Sequence, residues 1–335
     1  MKKSLIALAV AGAMTAPVVA QADATLYGSF RIGLHSAEDT DLDLRDESSR
    51  IGIKGDVDLG LEDTKGLFHW EANVDTVDDS SSMFHARLAY IGATGSWGTA
   101  LVGRQYHPHY LLVNLPTDIF DSATGDAGEW NQLGNNVHKR EQNTLAYASP
   151  VMGGFQVIGG AVIAASGDDD DGVADSNMDG YNVAAKYTVG DLYVAASYGD
   201  VERDVAGTVD DIETMGLAVK YQLADLGLAA KYETQEVDDQ YDASTWDLAA
   251  TYDIGATQLQ IRYSEYEEDE KDLEGSQWAI GVTHKLGKKG RVWINYFDFD
   301  SDAEALLSTN GLADTSLVKE SSYKDRLSIG YRVDF

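Results

Sequence analysis

The chain has 335 residues, 44% of them hydrophobic, with a formal charge of −31, no cysteine and four prolines. The lack of cysteine excludes disulfide frameworks, thiolate metal sites and cysteine nucleophiles. The acidic balance excludes a nucleic-acid partner, because phosphate binding needs a basic surface. The length would hold two or three ordinary domains, but a large all-β protein can use it as one.

Residues 1–22 read as a signal peptide. Lys2 and Lys3 form a charged start, Leu5 to Val19 is largely apolar, and Ala20-Gln21-Ala22 is a small-x-small cleavage site. The expected mature N-terminus is Asp23. An uncleaved anchor is the alternative, but the apolar run is short against the roughly 20 residues of a spanning helix. No later stretch is long enough either, which taken alone suggests a soluble secreted or periplasmic protein.

The alternation along residues 23–335 points elsewhere. On the first segment Leu26, Phe30, Ile32 and Leu34 share one face, and Thr25, Tyr27, Ser29 and Arg31 the other. Further on, Trp246, Leu248, Ala250 and Tyr252 share a face, as do Leu259, Ile261 and Tyr263 against Gln260, Arg262 and Ser264. Successive strand side chains point to opposite faces, so this period of two predicts strands greasy on one side and wet on the other. Sixteen are expected: 24–35, 49–60, 66–76, 83–94, 97–105, 142–149, 153–165, 179–188, 191–199, 211–222, 226–236, 243–253, 257–267, 275–286, 290–300 and 323–335. No convincing helical period is present.

Short links such as Val189-Gly190-Asp191 and Asp253-Ile254-Gly255 alternate with long acidic ones near 36–48, 106–141, 166–178, 200–210, 235–242, 267–274 and 301–322. Tight turns on one rim and long loops on the other are the pattern of an outer-membrane barrel. Tyr187, Tyr221 and Tyr252 sit on the apolar face just before short turns, where a membrane–water belt of aromatics would lie. Phe335 ends the last apolar face. A soluble β-protein also alternates, but has no reason to level its tyrosines beside the turns. The predicted fold is an all-β, 16-stranded antiparallel transmembrane β-barrel.

Several stretches then resemble the general Gram-negative bacterial porin family: Thr25-Leu26-Tyr27-Gly28-Ser29-Phe30, Ser49-Arg50-Ile51-Gly52-Ile53-Lys54-Gly55, Ala89-Tyr90-Ile91-Gly92, Trp97-Gly98-Thr99, Gly103-Arg104-Gln105-Tyr106 and the terminal Tyr331-x-Val333-x-Phe335. The likeness is concentrated in about the first 150 residues and the last strand. It implies a homotrimer in the outer membrane, passive diffusion of small hydrophilic solutes, and a third loop folded into the barrel. It also implies contact with outer-membrane lipids and lipopolysaccharide, and insertion machinery that reads the terminal strand.

The link 106–141 is the candidate inward loop. Leu111, Leu112, Val113, Leu115, Ile119, Phe120 and Trp130 are too apolar for a loop in water, and folding inward would leave Asp118, Asp121, Asp126 and Glu129 facing the lumen. A lid outside the barrel is the alternative. Arg50, Arg104 and Arg140 match the family's basic wall opposite that loop, with Arg31, Lys54 and Arg87 extending it. Arg104 shares parity with Ala100 and Val102, so the strand end must turn inward there. Loop acids predict a mild cation preference at low salt. Small residues Gly28, Ala72 and Ala86 on the outer face suggest close packing between protomers.

Rival chemistry is sparse. His107-Pro108-His109 lacks a third metal ligand, and Asp175-Ser176-Asn177-Met178-Asp179-Gly180 starts like a calcium loop but has Lys186 where the closing Glu belongs. No cofactor, metal or catalytic residue is expected. The other readings are an outer-membrane barrel enzyme, which needs a nucleophile or carboxylate cluster with a base in reach, or a structural or adhesive surface protein using its acidic loops.

Overall fold

The computed structural model describes residues 23–37, 41–77, 83–122, 139–163, 178–205, 208–237, 241–269, 273–300 and 325–335. The signal segment 1–22 and the acidic stretch Asp168 to Asp171 lie outside them. The strands are β1 Asp23–Ala37, β2 Asp43–Asp46, β3 Arg50–Leu61, β4 Thr64–Val74, β5 Phe84–Gly95, β6 Gly98–Tyr106, β7 Arg140–Ala148, β8 Phe155–Ile163 and β9 Met178–Val189. They continue as β10 Leu192–Val205, β11 Thr208–Leu223, β12 Leu226–Val237, β13 Tyr241–Ile254, β14 Thr257–Glu268, β15 Leu273–Leu286, β16 Gly290–Phe299 and β17 Arg326–Asp334.

Apart from β2 and β3, each strand pairs antiparallel with its neighbour in sequence, and β1 closes the ring against β17 from Ser29↔Asp334 to Ala37↔Arg326. Closure satisfies the backbone groups that an open edge would strand in lipid. Along the other side of β1, β3 pairs with 23–29 and β2 with 32–35. These two lie end to end, so the seventeen described segments form a sixteen-strand wall.

The short β2 falls in a stretch that the alternation places in a loop. It exists because β1 runs on past the end of β3 and offers it an edge. The break between β2 and β3 comes at Ser48, which is left-handed (φ 63), while the Ser49 N–H is held by Asp46 Oδ1 at 2.8 Å and Glu47 N–H donates to Arg31 O at 2.9 Å. A second departure is a helical turn, Tyr110–Asn114, in a chain whose periodicity shows no helix. Packing of its buried Leu112, Val113 and Asn114 sustains it, not propensity.

The two faces of the wall are inverted relative to a soluble protein. On β13 and β14, Leu248, Tyr252, Leu259 and Ile261 are exposed outward, whereas Thr245, Asp247, Gln260, Arg262 and Ser264 are buried inward. Outward apolar groups suit lipid, and inward polar groups suit an aqueous lumen. Tyr187, Tyr221 and Tyr252 are exposed on the outer face, each three residues before its short turn. Two of the small outer residues serve the protomer itself. Phe335 lies where a side chain at Gly28 would go and packs on Phe30, with ring centroids 5.6 Å apart, and Ala72 is buried. Of the three, only Ala86 is left exposed.

Candidate functional site: the lumen wall and its inward segment

The first strands carry a polar network on the inner face. Register aligns Lys54 with His69 and His69 with Tyr90. Tyr27 donates its hydroxyl to Glu71 at 2.7 Å, and its oxygen lies 2.6 Å from His69 Nε2, while His69 Nδ1 is 2.9 Å from the Tyr90 hydroxyl. One assignment satisfies all three bonds: His69 donates from Nε2 and accepts at Nδ1. Lys54 sits 5.1 Å over the Tyr27 ring.

A bulge at Glu71/Ala72 breaks the alternation on β5, so that Arg87 and Leu88 are both buried. Arg87 donates to Glu71 at 2.6 Å, to Asn73 at 2.8 Å and to the Tyr106 hydroxyl at 3.4 Å. Arg140 lies 5.3 Å over Tyr106, which stacks on Tyr110 at 5.5 Å, and Lys139 covers Tyr110 at 5.6 Å. Burial and the Asp118 carboxylate push the Tyr110 hydroxyl above the usual phenol range, so it stays a donor to Asp118 at 3.3 Å.

Arg31 and Arg50 are held differently. Each uses Nε on a neutral oxygen, Ser29 Oγ at 2.9 Å and Ser48 O at 3.2 Å, and neither forms an ion pair among the described residues. They interact electrostatically with each other and with Arg332. The register slips between Gly103 and Gln105, where Arg104 would have to turn inward. Arg104 Nε is buried without a hydrogen-bond partner, and no described contact joins it to the other arginines.

Residues 107–122 run across the opposite wall. His109 and Val113 fill the space over Gly216 of β11, where a Cβ would meet His109 Cε1 at 2.5 Å. Tyr193 donates to Leu112 O at 2.8 Å, Thr117 Oγ1 to Asp247 at 3.1 Å, and Gln260 to Ile119 O. Phe120 meets Phe297 edge-on at 5.3 Å. Asp121 ends this stretch between Arg332 at 2.9 Å and Arg291 at 3.2 Å. Alternation puts Arg332 on the wet face of β17, but no sequence signal tells which strand meets the end of a distant loop. Asp126 and Glu129 lie outside the described residues.

His109 is also the hub of a buried ionic cluster. It is 2.6 Å from Ser197 Oγ and 2.8 Å from Glu233, which Lys231 contacts at 2.5 Å; Lys231 is 3.5 Å from Asp247. The order serine, histidine, acid is that of a hydrolase triad. Here His109 and Glu233 are 2% and 1% exposed, sealed between segment and wall, so the array ties the segment down and offers no substrate a way in.

A closed barrel, greasy outside and charged inside, with a segment lying across its inner wall, is a transmembrane β-barrel by architecture. The family model for the Gram-negative porin matches residues 7–303, and the chain belongs to that family. Membership and the barrel place it in the outer membrane. A curated relative, the chitoporin of Vibrio furnissii, is 29% identical over 229 residues, 59% of this chain and 60% of that protein. The chain thus spans about three fifths of the relative's length. Among solved structures, an anion-selective porin from Comamonas acidovorans superposes with a TM-score of 0.76 at 19% identity, covering 94% of this chain and all of that one. OmpT of Vibrio cholerae in a trimer form gives 0.70 at 17%, covering 94% and 99%. At these identities the structural likeness speaks to the fold.

Proposed function

We propose that this protein is an outer-membrane diffusion channel for small hydrophilic solutes and ions, working without catalysis or cofactor. The observation that carries the reading is residues 107–122 crossing the inner face of a closed barrel, opposite Arg31, Arg50, Arg87 and Arg140. Lys54 extends that basic wall, Arg104 joins it only if the end of β6 turns it into the lumen, and Asp126 and Glu129 belong by sequence to the same loop as Asp118 and Asp121. Charges across a narrow waist orient dipolar solutes and set ion preference. Two unit charges about 4 Å apart in water interact by only ~1 kcal/mol, so selectivity is modest and salt-sensitive. The purified chain in a planar bilayer is expected to give stepwise conductance that scales with salt; a chain that inserts without conducting would sink the reading.

The likeness to OmpT of Vibrio cholerae in its trimer form supports a homotrimer here. Removal of 1–22, a belt of Tyr187, Tyr221, Tyr252 and Phe335 against lipid and lipopolysaccharide, and recognition of Phe335 by insertion machinery complete the reading. Phe335→Ala is then expected to lower surface levels more than it lowers the stability of assembled barrels. Quantitative surface labelling beside heat-resistance on gels checks this, and unchanged surface levels count against it.

A further inference from the structure

Resting on the diffusion-channel reading, we propose that Arg332, with Arg291 beside it, determines the sign of ion selectivity by cancelling the loop's Asp121. Asp121 is the loop acid nearest the described end of the inward segment. In the folded barrel it is not a free anion. Arg332 Nη1 holds one of its oxygens at 2.9 Å and Arg291 Nη1 the other at 3.2 Å, and its side chain is only 11% exposed.

The same two arginines share Asp334, with Arg332 Nε at 2.8 Å and Arg291 Nη2 at 3.9 Å. Two guanidinium groups and two carboxylates therefore form a charge-balanced set, with Arg31 in electrostatic reach of both carboxylates. The other loop acid among the described residues, Asp118, accepts from Tyr110 and keeps its charge, and Glu71 is taken up by Arg87 and Tyr27. Arg31 and Arg50 are left as positive groups with no ion pair among the described residues, their forks anchored only through Nε. Both lie within electrostatic reach of Arg332, Arg31 also of Asp121 and Asp334, and Arg50 also of Glu71.

Among the described residues named here, six arginines (Arg31, Arg50, Arg87, Arg140, Arg291 and Arg332) stand against four carboxylates (Glu71, Asp118, Asp121 and Asp334), a positive excess in a strongly acidic chain. The ligand class it favours is the small anion, chloride or a small carboxylate. This differs from the mild cation preference that loop charge predicts at low salt, which screening removes as salt rises. The acids outside the lumen are screened over about 8 Å at physiological salt, so they do not offset the local excess.

Reversal potentials of the purified full chain across a potassium chloride gradient test this at high salt. Wild type is expected to favour chloride. Arg332→Gln unpairs one side of Asp121 and shifts the potential toward cations, more than Arg291→Gln does, because Arg291 is the more exposed, at 33% against 18%. Arg332→Lys keeps the charge and stays near wild type. Asp121→Asn releases both guanidinium groups and shifts the potential toward anions. Lys65→Gln, at an exposed lysine paired with Asp56, provides the baseline. An Arg332→Gln shift no larger than that of Lys65→Gln, or an unmoved Asp121→Asn, overturns the proposal. If Arg332→Gln does not insert, Asp121→Asn alone decides. Absence of any conductance in wild type defeats the channel reading instead.

Discussion

Where residues 107–122 lie against the wall, on β12 to β14 and at Phe297 of β16, the inward positions are shut: Thr245, Asp247, Ser264 and Phe297 have no exposure at all, and Lys231 and Glu233 are nearly as deep. Along β1 and β3, Arg31 and Arg50 stay partly open, tethered only by neutral oxygens. The same alternation builds both walls, yet one receives residues 107–122 and the other faces the lumen. A buried charge must be paired, whereas an open one does not need to be. The closed wall should therefore carry stability, and the open wall selectivity.

The largest effect is expected on the closed wall. Glu233→Ala removes the carboxylate that joins His109 to Lys231 and leaves the lysine ammonium and the imidazole buried beside the gap. Breaking a buried pair in this way costs about 3–5 kcal/mol. Guanidinium unfolding from detergent should show a loss of that order, with Glu233→Gln milder because its amide still reaches both neighbours. A Glu233→Ala barrel as stable as wild type would mean the anchor carries nothing.

Next comes the seat of the segment. Gly216→Val puts carbon where His109 and Val113 now pack. Overpacking of this kind costs about 1–3 kcal/mol, and relief by lifting the segment is the cheaper route. Single-channel records are expected to show altered unitary conductance and more frequent closures, with the barrel still heat-resistant. Unchanged conductance would separate the segment from the waist.

The smallest stability change is expected on the open wall. Arg50→Gln loses one bond to Ser48 O and no ion pair among the described residues, so stability should move by no more than about 0.5 kcal/mol. The reversal potential should nevertheless shift toward cations. A large stability loss with no change in selectivity would erase the contrast between the walls.

Strand number, the inside–outside sense of nearly every strand and the short-turn rim were legible in the sequence, because each depends on side chains two residues apart. Bulges escaped that reading: the slips at Glu71/Ala72 and Gly103/Gln105 alter the parity that puts Arg87 inward and leaves Arg104 apart. Gly28 and Ala72 looked like room for a neighbouring protomer. The ring that fills the first comes from Phe335, some three hundred residues away along the chain but adjacent once β1 meets β17.

Period two by itself determined a barrel with a charged interior and marked 106–141 as too apolar to stay in water. It could not determine which charges would meet. Alternation specifies a face, while pairing depends on the height at which a loop touches a wall across the lumen. That height comes from closure of the ring and from the seat at Gly216. Only the tertiary structure therefore decided that Asp121 is met by Arg291 and Arg332 while Arg31 and Arg50 form no ion pair among the described residues: close ion pairs and hydrogen bonds need contact within a few ångströms, and the sequence holds no distances across the pore.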